Sequence, residues 1–110
     1  MNMKRTLLIA GLVLTMGGVL HAADAKENWT KLCAKCHGED GKGQTRMGKQ
    51  AGAKDYTDAK VQAEIKDDKA FKVIKEGLKD GDKKKMDPYA EKLSDDEIKA
   101  LVAHIRSFKK

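Results

Sequence analysis

Apolar positions recur at helical spacing along most of the chain, and no segment alternates in the manner of a strand. Residues 25–35, with Cys36 just beyond, carry Trp29, Leu32 and Cys36 at i, i+3 and i+7, one stripe of an amphipathic helix. Residues 38–54 break the period: Gly38, Gly41, Gly43, Gly48 and Gly52 mark a loop whose backbone lies close against something. Thr57 or Asp58 can cap a short helix bearing Val61 and Ile65. Asp67 or Asp68 can cap the next, with Phe71, Ile74 and Leu78 on its stripe and Gly77 placed to end it. Residues 79–93 read as a second loop, rich in Asp and Lys and holding the only proline, Pro88. Ser94 and Glu97 then form a capping box ahead of Ile98, Leu101, Val102, Ile105 and Phe108. The fold class these patterns predict is all-α, about four short helices with two loops.

The first 23 residues stand apart. Lys4 and Arg5 precede an uncharged stretch from Thr6 to Leu20, and small residues follow at Ala22, Ala23 and Ala25. That order is expected of a secretory signal peptide; the apolar run is short for a membrane span of about 20 residues. A cut after Ala22 or Ala23 keeps Asp24, which with Glu27 reads as a capping pair for the first helix. One domain, residues 24–110, remains.

The whole chain has 110 residues, a formal net charge of +6, 36% charged and only 5% aromatic residues. Loss of Lys4 and Arg5 leaves +4. A domain of about 87 residues with so few aromatics needs a cofactor or cross-link to complete its core. Its size excludes a multidomain enzyme, and no acid–base pair or nucleophile constellation is evident, so a non-enzyme is expected.

Cys33-Ala34-Lys35-Cys36-His37 carries the chemistry. Two cysteines separated by two residues, with histidine directly after, form the c-type haem attachment pattern. Each thiol adds to one haem vinyl group, and the histidine then lies under the iron as proximal ligand. A redox-active Cys33–Cys36 disulfide would need the βαβ setting of a thioredoxin-like fold, which this helical pattern lacks. Structural zinc would need four ligands, and neither a second cysteine pair nor a suitably spaced histidine pair exists.

For the other face of the iron, Met1, Met3, Met16 and His21 belong to the leader, which leaves Met47, Met86 and His104. Met86 lies 49 residues after His37, in a loop stiffened by Pro88 and able to cross to the opposite side. Met47 follows His37 by only ten residues and stays near the proximal side. Either thioether could instead fill a gap in the core. His104 falls at the edge of the last helix's apolar stripe and reads as a half-buried helix residue.

With Cys33 to Gly43, the Met86-Asp87-Pro88-Tyr89 segment and Leu93 to Ile98, the chain resembles the small class I monohaem c-type cytochromes of bacteria, over residues 24–110. The resemblance implies a compact cytochrome c fold around one covalently bound haem c, with thioethers at Cys33 and Cys36 and His37 and Met86 as axial iron ligands. It also implies first and last helices crossing beside the haem, which suits Trp29 and Leu32 against Leu101, Ile105 and Phe108. Many relatives place a proline about a dozen residues after the proximal histidine, whose carbonyl accepts the imidazole proton. Here that acceptor is expected from the non-proline backbone of residues 43–48. Gln44, Arg46 and Tyr56 are candidates to bond haem propionates.

The function expected is a monomeric, periplasmic one-electron carrier cycling between Fe(II) and Fe(III), without nucleic-acid partners or stable membrane insertion. Lys83-Lys84-Lys85, directly before Met86, is expected to rim the haem edge and favour redox partners with acidic docking surfaces, although Asp80, Asp82 and Asp87 offset part of that charge. Two alternatives are a dedicated electron-accepting subunit of a periplasmic dehydrogenase and a gas-binding haem sensor.

Overall fold

The computed structural model describes residues 22–110. Residues 1–21 of the expected leader, including Met1, Met3, Met16 and His21, lie outside the described residues.

The first apolar stripe forms one helical run built in three parts: α1 (Ala22–Asn28), a π-helical turn (Trp29–Cys33) and α2 (Ala34–His37). Among the described residues the run begins at Ala22, and Asp24 lies in its first turn. The π-turn is closed by the Ala34 N–H on the Trp29 carbonyl. Gly38, at φ 80°, ends the run, and its carbonyl accepts the Trp29 Nε1–H at 2.8 Å.

The expected loop over 38–54 contains a short helix, α3 (Arg46–Ala51). It has no apolar period to announce it. Thr45 caps it by accepting from Gly48 N at 2.9 Å, and Gly52 closes it in the left-handed region. Helix α4 (Ala59–Glu64) starts as expected at Asp58, whose carboxylate accepts from Lys60 N.

In α5 (Asp67–Glu76) the capping position falls on Lys66, which makes no side-chain cap; Asp67 and Asp68 stand in the first turn and act through charge. Gly77 ends α5 as expected, so Leu78 leaves the helical stripe and is exposed. The second expected loop is partly a ribbon: β1 (Leu78–Asp80) pairs antiparallel with β2 (Lys83–Met86). Gly81, at φ 60°, takes the only positive φ of the tight turn between them, as a type II′ turn requires. Lys–Asp alternation without apolar residues hides such a strand pair from a hydrophobic pattern.

Helix α6 (Asp95–Ser107) carries both bonds of the capping box, Ser94 N–H to Glu97 Oε1 at 3.0 Å and Glu97 N–H to Ser94 Oγ at 3.1 Å. Its buried stripe of Ile98, Leu101, Val102 and Ile105 joins Trp29, Cys33, Ile74 and Leu93 in one core. Helix α1 packs on α6, and α5 covers another flank of it. Ile98 and Leu101 are fully buried, and each contributes about 1.5–3 kcal/mol relative to an exposed side chain. Buried Gln62 ties α4 to α6 by donating to the Tyr56 and Ile105 carbonyls, while Arg106 returns a bond to the Gln62 carbonyl.

Candidate functional site

The helical run, α3 and the ribbon leave between them a cleft of about 410 Å³. Cys33, Cys36 and His37 line it from the end of the helical run. Met47, Ala51 and Ala53 come from the α3 segment, Leu78 and Met86 from the ribbon, and Val73, Tyr56 and Tyr89 complete it. All four residues expected to hold a cofactor therefore meet in one place. Met47, expected to stay proximal, lines the same cleft and is 42% exposed, whereas Met86 is half-buried against the core. His104 does not line the cleft; it packs on Trp29 at 5.4 Å and on Phe108 at 4.9 Å. Burial and the neighbouring Lys26 cation both hold its pKa below the ordinary value, with Glu39 opposing them weakly.

Local geometry fixes the donors. Helical spacing puts Cys33 and Cys36 nearly one turn apart, so both sulfurs share a side of the run. Thr45 Oγ1 lies 2.8 Å from both the Lys35 and Cys36 carbonyls, binding α3 to the motif's last turn. Gly48 lets α3 come closer still: a Cβ there would overlap the Cys36 carbonyl oxygen. Tyr89 Oη donates to the Leu32 carbonyl at 3.0 Å and draws the segment after Met86 onto the helical run.

The protonation states suit covalent attachment and ligation rather than thiol redox chemistry. Burial, then the neighbouring Cys36, pushes the Cys33 thiol up to about 12. It stays protonated at neutral pH, unlike the lowered thiolate of a disulfide oxidoreductase. Burial also holds the His37 imidazole below its usual pKa and hence neutral, with a lone pair to give. Both cysteines are free, and among the described residues no group of three or more His, Cys, Asp or Glu side chains could hold a bare metal ion. Two free thiols, a neutral imidazole and a mostly apolar wall fit a flat macrocycle attached through both sulfurs.

The expected backbone acceptor for the His37 ring is not there. Nδ1 is buried, and among the described residues it has no hydrogen-bond partner. Within that stretch the Thr45 carbonyl accepts from Lys49 N and the Gly48 carbonyl from Ala53 N. Of the candidates for propionates, Tyr56 lines the cleft, while Gln44 and Arg46 are exposed and do not. Lys35 and Lys54 do line it, joining Lys84 and Lys85. Lys35 sits inside the Cys-x-Lys-Cys motif and was legible there; Lys54 carried no signal.

A family model described as cytochrome c matches residues 22–109. Among solved structures, the chain is similar to the KustC0563 c-type cytochrome, at 38% identity and a TM-score of 0.70, covering 79% of this chain and 99% of that one. A tyrosine-to-phenylalanine mutant of the same protein matches at 37% identity and a TM-score of 0.68, covering 78% and 99%. No curated protein matches the chain.

Proposed function

The chain belongs to the cytochrome c family, and from that premise we propose that it is a monomeric periplasmic electron carrier with one haem c, bound by Cys33 and Cys36 and ligated by His37 and Met86. Covalently bound haem c is the family's cofactor, and it supplies one-electron Fe(II)/Fe(III) exchange. The observation that carries the reading is the single cleft lined by both cysteines, His37 and Met86.

Each residue has a distinct task there. Cys33 and Cys36 tether the group to the end of the helical run. His37 presents a neutral imidazole, and Met86 a soft thioether that favours the ferrous state. Held by both His37 and Met86, the iron would keep no open position for substrate, which suits a carrier. Leu78, the cross-strand partner of Met86, lines the cleft with it, together with Val73 and Tyr89.

Export rests on the leader pattern of residues 1–23; among the described residues no helix is long and apolar enough to cross a membrane. Docking is read from the cleft mouth, where Lys35, Lys54, Lys84 and Lys85 combine with exposed Met47 and Leu78. That surface suits a redox partner with an acidic rim. Asp87 pairs with Lys84 at 3.2 Å and removes part of the positive field.

The test is ligation. Met86→Ala in the haem-loaded protein should abolish the long-wavelength absorption of iron–methionine bonding, lower the potential and let carbon monoxide bind the ferrous form; Met47→Ala should do none of these. Loss with Met47→Ala instead would overturn the assignment. Carbon monoxide binding by the parent itself would favour a gas-binding protein.

A further inference from the structure

An imidazole ligand is ordinarily aimed by the hydrogen bond that its second nitrogen makes, and the same bond raises its basicity. Among the described residues His37 lacks that bond: its Nδ1 is buried without a partner. Something else must set the plane of its ring. The candidates are the two aromatic rings against it. Tyr56 lies nearly parallel to it, centroids 5.3 Å apart and planes at 24°. Trp29 lies at 5.5 Å and 38°.

The geometry points to Tyr56 as the positioning residue for the His37 imidazole, acting by ring stacking in place of a hydrogen bond. This rests on the reading of His37 as the iron's histidine ligand.

Tyr56 is itself held firmly. Its N–H donates to the Gly41 carbonyl at 2.8 Å, and its own carbonyl accepts from buried Gln62 Nε2 at 2.7 Å. Gln62 also donates to the Ile105 carbonyl at 2.8 Å and accepts from Arg106, so the Tyr56 backbone is tied to α6. Trp29 is the fixed wall behind, fully buried with its indole N–H on Gly38. Nδ1 itself is buried. A histidine so held keeps its Nδ1 proton entirely and gives less electron density to the iron than a hydrogen-bonded one, which favours the ferrous state. The stacking face of Tyr56 does this; its hydroxyl is not needed.

The experiment compares Tyr56→Phe and Tyr56→Leu with the parent, all haem-loaded, reading the midpoint potential and the hyperfine-shifted proton NMR spectrum of the ferric form, whose haem-methyl pattern reports the imidazole plane. Tyr56→Phe should reproduce the parent in both. Tyr56→Leu should change the methyl pattern and lower the potential, because water then reaches Nδ1. An unchanged Tyr56→Leu spectrum overturns the proposal, as does a Tyr56→Phe variant that shifts as far as Tyr56→Leu, since the hydroxyl would then be the active part. A second measurement needs no variant. In the ferrous parent, nitrogen-edited NMR should find the Nδ1 proton shifted upfield by the stacked rings; a downfield, hydrogen-bonded proton overturns the stacking role even if Tyr56→Leu fails to fold. A parent in which His37→Ala leaves the iron's histidine signature intact would fail the ligation reading, and that result is separate from either Tyr56 outcome.

Discussion

Gly48→Ala sets helix propensity against tertiary contact, and the two give opposite signs. Gly48 lies inside α3 with an ordinary helical φ, so by propensity alone alanine should stabilise α3 by about 0.8–1.0 kcal/mol. The neighbours say otherwise. A Cβ would overlap the Cys36 carbonyl oxygen and come within 2.7 Å of the Gly43 oxygen and 3.0 Å of Thr45 Oγ1. Two of those are backbone atoms, and the Cys36 oxygen is pinned by the Thr45 hydroxyl at 2.8 Å. Relieving the overlap must move α3 away from the motif's last turn. Overpacking of this kind costs about 1–3 kcal/mol. Stretching the Thr45 bond costs about 0.5–1.5 kcal/mol more. Contact wins, by about 2 kcal/mol net after subtracting the propensity gain of about 1. In a domain of this size that lowers the melting temperature by about 8–16 °C. Thermal unfolding of the haem-loaded protein, followed by circular dichroism, measures it. Gln50→Ala, an exposed site on the same helix, serves as control and should stay within about 0.5 kcal/mol of the parent. A Gly48→Ala protein as stable as the parent, or more so, would refute the close approach of α3 to Cys36.

Cys33→Ala with Cys36→Ala, or export without haem, should leave a mostly unfolded chain, because Cys33 belongs to the core and the cleft beside it would stay unfilled; native-like helicity with cooperative melting would contradict this. Replacing Lys83, Lys84 and Lys85 together by Gln should flatten the salt dependence of stopped-flow oxidation by an acidic acceptor, and parallel salt slopes would show the lysines to be a solvated face. Ser94→Ala should cost about 1 kcal/mol at neutral pH. The backbone N–H and hydroxyl of Ser94 hold the Glu97 carboxyl below its ordinary 4.5, so the carboxylate's share of the box is present above that value and is lost as pH falls through the lower folded pKa. The gap between parent and Glu97→Gln in urea unfolding should therefore narrow on the acid side, and a constant gap would show that the Glu97 charge takes no part in the box.

The attachment motif and the last helix were legible because their information is local. The Cys33-x-x-Cys36-His37 pattern needs only a spacing, and the Ser94–Glu97 box with its apolar stripe is complete within one segment. The short helix α3 and the β1–β2 ribbon were not legible, and for a shared reason. Neither has an apolar periodicity of its own, since α3 is shaped by Gly48 fitting against Cys36 and the ribbon by backbone pairing of charged residues around Gly81. Asp67 and Asp68 misled in a smaller way: residues that favour a cap also favour the first turn, and only backbone dihedrals separate the two. The sequence alone named the residues proposed to hold a haem and determined that most of the chain is helical. Tertiary structure decided what surrounds those residues. It brought Met47 and Met86 to the same cleft, left the His37 Nδ1 without a partner among the described residues, and set Tyr56 beside the ring. Covalent chemistry is written in residue type and spacing, whereas the surroundings of a buried nitrogen depend on how distant segments of the chain fold around it.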